Sequence, residues 1–417
     1  MIVYKFGGAS VSSASAIKNL ARIVSECSED IVIVISAFGK TTNALETILA
    51  RWYEGSIERY NLFEEMKKYH NEIIRELFTS DNHQAYRHFH DFTSRIENKL
   101  NQVPSENYDF EYDQLVSFGE LISTSIVSDY LESICIKNKW TDAREWLITD
   151  NTFREANVDY IQTGLNIKEI FKVTGTKIFI TQGFIGGTGE RVTTTLGREG
   201  SDYTAAILAN LLDADRLVVW KDVPGILTAD PAFFPEAEKL DEISYLEAIE
   251  LSFFGAKVIH PKTIKPLQNK NIPLYVKSFI DPGSPGTLIH KIETPVDLKP
   301  ILIVKNEQLL VSLTPRDFSF VVEDCLSRIF AIFFKYRMKV NLIQHSAISF
   351  TICMDNKGPF VKALLEEMKS DFKVLYNEGL DLITIRHYTY EVIERHTAGK
   401  NVLVEQRSRS TVMFVVR

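Results

Sequence analysis

The sequence predicts an α/β protein: a parallel-rich sheet covered by helices over residues 1–290, then an α+β end of ferredoxin-like order over 291–417. Three observations predict it. Short Val- and Ile-rich runs at 2–7 and 30–36 flank a helical spacing at 15–27, and strands apolar throughout belong to parallel sheets buried on both faces. The chain has 417 residues, beyond the ~250–300 at which one hydrophobic core stops growing. Its 20 glycines are unevenly spread: six lie between 183 and 200, none between 56 and 118, and only three in 291–417.

Taken in order, the first helix carries Ala16, Ile17, Leu20, Ala21, Ile23 and Val24 at helical spacing. In the glycine-free stretch, Leu62, Phe63, Met66, Tyr69, Ile73, Ile74, Leu77 and Phe78 recur at threes and fours. Phe89, Phe92, Ile96 and Leu100 do the same after a break at Asp81-Asn82, which predicts an antiparallel helix pair inserted at about 53–102. Strands are expected at 177–184, 191–196, 217–220 and 273–279, with helices at 202–212 and 244–254. The turn-rich segment 281–286, Asp-Pro-Gly-Ser-Pro-Gly, reads as the edge of the first part. Beyond it, strand 309–313, helix 318–335, strands 341–344 and 348–354, helix 359–369 and strand 372–376 give βαββαβ. A shortened second copy follows: strand 380–386, helix 390–395 and strands 401–405 and 411–416. The first unit spans about 308–378 and the second about 379–417.

Composition excludes several classes. Apolar residues make up 45% and charged residues 24%, the balance of a globular chain rather than a disordered or fibrous one. A net charge of −8 gives no basic face for nucleic acid. No apolar run approaches the ~20 residues of a membrane span. The four cysteines, Cys27, Cys135, Cys325 and Cys353, form no C-x-x-C pair, and no signal peptide is visible. The expectation is a cytoplasmic chain that binds neither nucleic acid nor membrane.

Several motifs carry chemistry. Lys5 inside a buried strand needs an anion, and Gly7-Gly8 after it lets backbone N–H groups approach one, with a helix start just beyond. Taken alone, this short pattern reads first as an edge-strand lysine before a tight turn. The loop Ser36-Ala-Phe-Gly39-Lys40-Thr41-Thr42-Asn43 fails the P-loop test, because Val34 stands where its first glycine belongs. It remains a polar loop at the carboxyl end of a parallel strand, where open α/β sheets bind ligands, or a plain connection capped by Thr42 or Asn43. In the glycine cluster Val192 breaks the dinucleotide fingerprint, while Arg198 suits a carboxylate or phosphate. Asp202 reads equally as the cap of its helix. Lys221-Asp222, Lys257 after Gly255, and Glu120 in Ser117-Phe-Gly119-Glu120 complete the set. His83, His88 and His90 make no metal site, since His88 and His90 would face opposite sides of a helix.

In this order the stretches KFGGAS (5–10), SAFGKTTN (36–43), SFGE (117–120), TQGFIGG (181–187), TTTLGREGSDYTA (193–205), DVPGILTADP (222–231) and FGAKVIHP (254–261) resemble the aspartate kinases of the amino-acid kinase family. The resemblance implies a three-layer kinase fold followed by ACT regulatory modules, with 299–305 completing the short second one. It implies phosphoryl transfer from ATP, carried with Mg2+, to the side chain of L-aspartate, the first step of lysine, threonine and methionine biosynthesis. By the match Lys5 contacts the transferring group and Asp202 holds Lys5. Gly7, Gly8, Ser10, Lys221, Asp222 and Lys257 serve ATP, and Thr42, Glu120, Arg198 and Ser201 serve aspartate. No dedicated metal site is implied. A homodimer is implied too, because ACT edge strands pair between chains, as is an amino-acid effector. The sequence departs from the pattern at Ala232 and Glu199, which bear on nucleotide and substrate affinity, and in the ACT region at the loop Thr314-Pro-Arg-Asp-Phe318 and at His345-Ser-Ala347, which leaves the effector open. The alternatives are a kinase for another amino acid and a catalytically silent sensor built on the ACT modules.

Overall fold

The computed structural model describes the chain except residues 173–174, 176, 257–258, 294–297, 318 and 357. Two compact units emerge. The first comprises Met1–Ile226, Lys239–Ile249 and Val258–Thr294, and the second Leu227–Glu238, Glu250–Lys257 and Pro295–Arg417.

The first unit holds an eight-stranded sheet. Its strands are β1 (Ile2–Phe6), β2 (Ile31–Ile35), β3 (Lys139–Thr141), β4 (Ile178–Gln182), β7 (Arg216–Lys221), β8 (Glu242–Ser244), β9 (Leu274–Ser278) and β10 (Thr287–His290). Between β4 and β7, β5 (Ile185–Gly187) and β6 (Thr193–Thr195) form a separate small ribbon. The sheet order is β3-β4-β2-β1-β7-β9-β10-β8, parallel except where β10 runs back along β9. That reversal corrects the expected boundary: the turn at 281–286 does not close the unit but returns the chain as β10. Likewise residues 242–244, whose last was assigned to the helix 244–254, are strand, and the helix is Tyr245–Phe254.

Alternation along β1 separates the sheet's two faces. Tyr4 and Phe6 pack with Trp220 on one side, where Phe6 also meets Phe279. Lys5 points to the other, over which the apolar helix Gly200–Leu211 lies. Helix Phe118–Ser133 lies along β4, β3 and β2, with Leu121, Ile122 and Ile126 buried. The predicted insertion is present as helices Glu58–Leu77 and Gln84–Leu100. Their apolar stripes bury Phe63, Met66, Ile73 and Ile74 on the first and Phe89, Ile96 and Leu100 on the second.

The second unit is a six-stranded antiparallel sheet made of β11 (Ile301–Pro315), β12 (Val340–His345), β13 (Phe350–Asp355), β14 (Phe372–Arg386), β15 (Val402–Arg407) and β16 (Thr411–Val416). Its order is β12-β13-β11-β14-β16-β15. Two expectations are corrected here. The segment 299–305 and the strand predicted at 309–313 merge in one continuous 15-residue strand, Ile301–Pro315, and the strands predicted at 372–376 and 380–386 merge in another, Phe372–Arg386. The two long strands pair along their length, with a register irregularity between Lys305 and Gln308, where Glu307 takes a positive φ of 55°. The helix expected at 318–335 begins only at Glu323, with Phe318 outside the described residues.

The C-terminal half of β11 with β12, β13 and the start of β14 forms one ferredoxin-like module. Its core joins Leu309, Val311 and Leu313 to Ile329, Phe333, Leu364 and Met368 of two helices. The rest of β14 with β15, β16 and 301–305 forms the other, around Leu302, Ile383, Ile385, Val412 and Phe414. No helix among the described residues is long and apolar enough to cross a membrane.

Candidate active site

Four parallel strands, β4, β2, β1 and β7, end side by side, and backbone bonds staple the loops that follow them. Ser36 N donates to Phe6 O at 3.2 Å, Gly39 N to Gly8 O at 3.0 Å, and Gly183 N to Ile35 O at 3.1 Å. The Ser10 hydroxyl donates to Trp220 O at 3.4 Å. Two glycines permit this. A Cβ on Gly8 would sit 2.8 Å from the Ala37 carbonyl oxygen, and one on Gly183 2.5 Å from the Ser201 Cβ. Neither position has room for a side chain.

Into this cluster the helix Gly200–Leu211 presents its first turn. Its N-cap is Glu199 in the left-handed region at φ 57°, with no side-chain capping bond. Asp202, which the sequence allowed as a cap, therefore does something else. It is wholly buried and ion-paired with Lys5 through Oδ1, while Lys221 Nζ stands 3.6 Å from Oδ2. Burial alone would raise the Asp202 carboxyl, but the Lys5 and Lys221 charges outweigh it and hold the group below the ordinary aspartate value. Two ammonium groups facing one carboxylate place positive charge at the strand ends, the electrostatics that suit phosphate.

Glu120 approaches from helix Phe118–Ser133. It is 3% exposed, its Oε1 accepts from Ala37 N at 3.3 Å, and its Oε2 is buried without a hydrogen-bond partner. Burial pushes its carboxyl up to about 8, against the opposing pull of the Ala37 N–H and the Lys5 charge. An orphaned buried carboxylate oxygen awaits a donor or cation. Should Glu120 bind a substrate ammonium, the KM for that substrate should fall as pH rises from 6 towards 8, because only the ionised form pairs. The slope approaches tenfold per pH unit at most. Glu120→Gln should raise KM and flatten the profile; an unchanged profile in that variant would refute the assignment.

Other expected residues fall around this centre. Ser201 is buried against Gly183, and Ser10 is buried below Trp220 O. Gly7 is partly buried, its hypothetical Cβ 3.6 Å from Lys5 Nζ. Thr42 is half-buried in the first turn of helix Thr41–Tyr53, whose N-cap is Lys40, so neither Thr42 nor Asn43 caps it. Arg198 and Asp222 are exposed, on the loop before helix Gly200–Leu211 and just past β7. The structure does not bring them into contact with the buried group. Lys257 lies outside the described residues. His88, set aside as a ligand, pairs with Asp129 at 2.9 Å.

Reading residues alone missed Asp113. It is fully buried, accepts from Thr195 N and Oγ1 and from Arg154 N, and so pins the ribbon that leads into Arg198. Its place in Tyr108–Val116, among two other acids and three aromatics, carries no distinguishing signal.

The Amino acid kinase family model matches residues 1–278. The chain is 33% identical over 406 residues to the lysine-sensitive aspartokinase 3 of Escherichia coli, covering 92% of this chain and 86% of that protein. It is 30% identical to a chloroplastic bifunctional aspartokinase/homoserine dehydrogenase 2 of Arabidopsis thaliana, of whose length it spans 42%. Among solved structures, E. coli aspartokinase III in complex with lysine and aspartate superposes with a TM-score of 0.82 at 30% identity, covering 100% of this chain and 96% of that one. The same enzyme with aspartate and ADP gives 0.82 at 29%. By the family model over residues 1–278 and the aspartokinase relative matched along most of its length, the chain belongs to the amino acid kinase family, among its aspartokinases.

Proposed function

We propose that this chain transfers the terminal phosphoryl group of ATP to the side-chain carboxylate of L-aspartate, giving 4-phospho-L-aspartate and ADP. The observation that carries the reading is the buried Lys5–Asp202–Lys221 group at the convergent strand ends, beside an orphaned Glu120 oxygen. E. coli aspartokinase III has been solved with aspartate and ADP, which supports the same pair of ligands here.

The residues fit the chemistry. The acceptor carboxylate is ionised at neutral pH, so no general base is needed, and catalysis reduces to positioning and charge neutralisation. Lys5, aimed by Asp202, meets the charge that develops on the transferring group. Gly7, Gly8 and Ser10 offer the loop after β1 to phosphate oxygens, with Lys221, Asp222 and Lys257 as the remaining nucleotide residues. Glu120 takes the substrate ammonium, Arg198 a carboxylate, and Thr42 and Ser201 complete the acceptor side.

Both Asp202 oxygens face lysines and Glu120 is withdrawn into the core, so this donor set suits a magnesium ion carried by the nucleotide rather than a protein cage. Such an ion, when bound, neutralises phosphate charge. The proposal includes a cytoplasmic setting, supported by four unpaired cysteines, and an amino-acid effector at the ferredoxin-like modules.

A coupled ADP-release assay tests the reading. L-Aspartate should drive turnover, with lysine, threonine and methionine added in turn to reveal the effector. Nucleotide binding without turnover would favour the silent sensor, and preference for glutamate or N-acetylglutamate would favour another acceptor.

A further inference from the structure

The inserted helix pair contributes a side chain to the site's edge that the reaction above does not use. His70 lies in helix Glu58–Leu77 with no exposed surface. Its ring stacks between two others, Phe38 at 5.7 Å and 16°, and Phe89 at 5.8 Å and 20°. Phe38 belongs to the loop after β2, and Phe89 to the second inserted helix. His70 Nδ1 faces the Met66 carbonyl at 2.8 Å, so Nδ1 must carry the ring proton. Burial drives the imidazole down to about 4, so near neutral pH it holds no second proton. The Thr41 hydroxyl donates its one proton to the Phe38 carbonyl oxygen at 2.7 Å, and the unprotonated Nε2, 3.3 Å from the same hydroxyl, is a second, longer acceptor that shares it.

The adjacent side chain supports the same loop. Tyr69 donates to the Ser12 carbonyl at 2.7 Å, and its hydroxyl lies where a Cβ on Gly39 would meet it at 2.8 Å. Gly39 has a positive φ of 50°, a conformation glycine takes without strain and a side chain would resist. Two neighbouring residues of one helix thus touch Ser12, Phe38, Gly39 and Thr41.

We infer that His70 is a positioning residue for the acceptor: stacked on Phe38 and sharing the Thr41 hydroxyl proton with the Phe38 carbonyl, it fixes the loop that presents Thr42 to aspartate. The inference rests on the aspartate kinase reading. It assigns the helix insertion a task in acceptor binding rather than in bulk stability.

The test compares His70→Phe, which keeps the stack and removes the acceptor nitrogen, with His70→Gln, whose amide oxygen can replace it. In the full-length chain, His70→Phe should raise the KM for aspartate about tenfold. It should leave the KM for ATP and the melting temperature near their wild-type values. His70→Gln should recover most of that loss. Thr41→Val should match His70→Phe, and combining the two should add little. Hydrogen exchange of amides 39–43 in the ligand-free chain should rise in His70→Phe, a readout independent of turnover. A folded His70→Phe with unchanged aspartate KM and unchanged exchange overturns the inference, as does an equal rise in both KM values. Wild-type protein inactive on aspartate would instead sink the kinase reading, while the exchange measurement still reports on the brace.

Discussion

Lys5→Met is expected to lower kcat by roughly 10^2–10^3, the loss typical of removing one preorganised donor to a developing anion. Methionine keeps most of the stem's volume, so the packing beside β2 and β7 survives while the charge goes. Lys5 is 6% exposed and faces a fully buried carboxylate, so the ammonium acts where water screens it little. Because the interaction grows in the transition state, the KM for ATP should move less than kcat. Steady-state kinetics on a variant of unchanged melting temperature make the comparison. A kcat within threefold of wild type would remove Lys5 from the reaction.

Asp202→Asn is expected to damage both activity and stability. The substitution leaves Lys5 buried without its counter-charge, and breaking a buried pair by removing one partner costs about 3–5 kcal/mol. For a domain of this size, each kcal/mol shifts the melting temperature by about 2–4 °C. The pH dependence has a definite sign. The Asp202 carboxyl lies below its ordinary value in the folded chain, held there by Lys5 and Lys221 against burial. Its contribution is complete above the unfolded value of about 3.9 and disappears as pH falls through the folded one. Wild type should therefore lose this stabilisation on acidification below about pH 4, and Asp202→Asn should lack it at every pH. Thermal melts across pH 3–7 that stay parallel for the two proteins would contradict the assignment. In turnover, freeing Lys5 from its fixed direction should reduce kcat about as far as Lys5→Met does, because the two act as one unit.

Much of this was legible in the residues. Lys5 announced itself as a cation in an otherwise apolar strand, and the parallel body followed from runs such as Ile31–Ile35, buried at every position. The inserted helices showed through their spacing because each buries one clear stripe. What stayed hidden depends on contacts distant in sequence. The choice for Asp202 between cap and ion pair turns on Lys5, 197 positions earlier, and on a left-handed Glu199 that no local rule announces. His70 reads as one more polar position in a helix, and only its aromatic neighbours reveal a buried, neutral ring. The long strands of the second unit were read in halves because Asn306-Glu307 and Asn377-Glu378-Gly379 have the texture of turns. In the sheet they are an irregularity that the partner strand absorbs.

Those two long strands also set an order of events for the growing chain. Residues 301–305 find their partners only at 382–386, so they must wait while about 75 intervening residues are made. The segment between can close on itself first, since β11 pairs with β13 and the start of β14 within that span. The outer module is finished last, when β16 joins β14 at Asp381–Val416. Chain order and assembly order thus run differently: the first half of the first strand laid down in the second unit is among the last to be locked, and the inner module can close within a host still being synthesised.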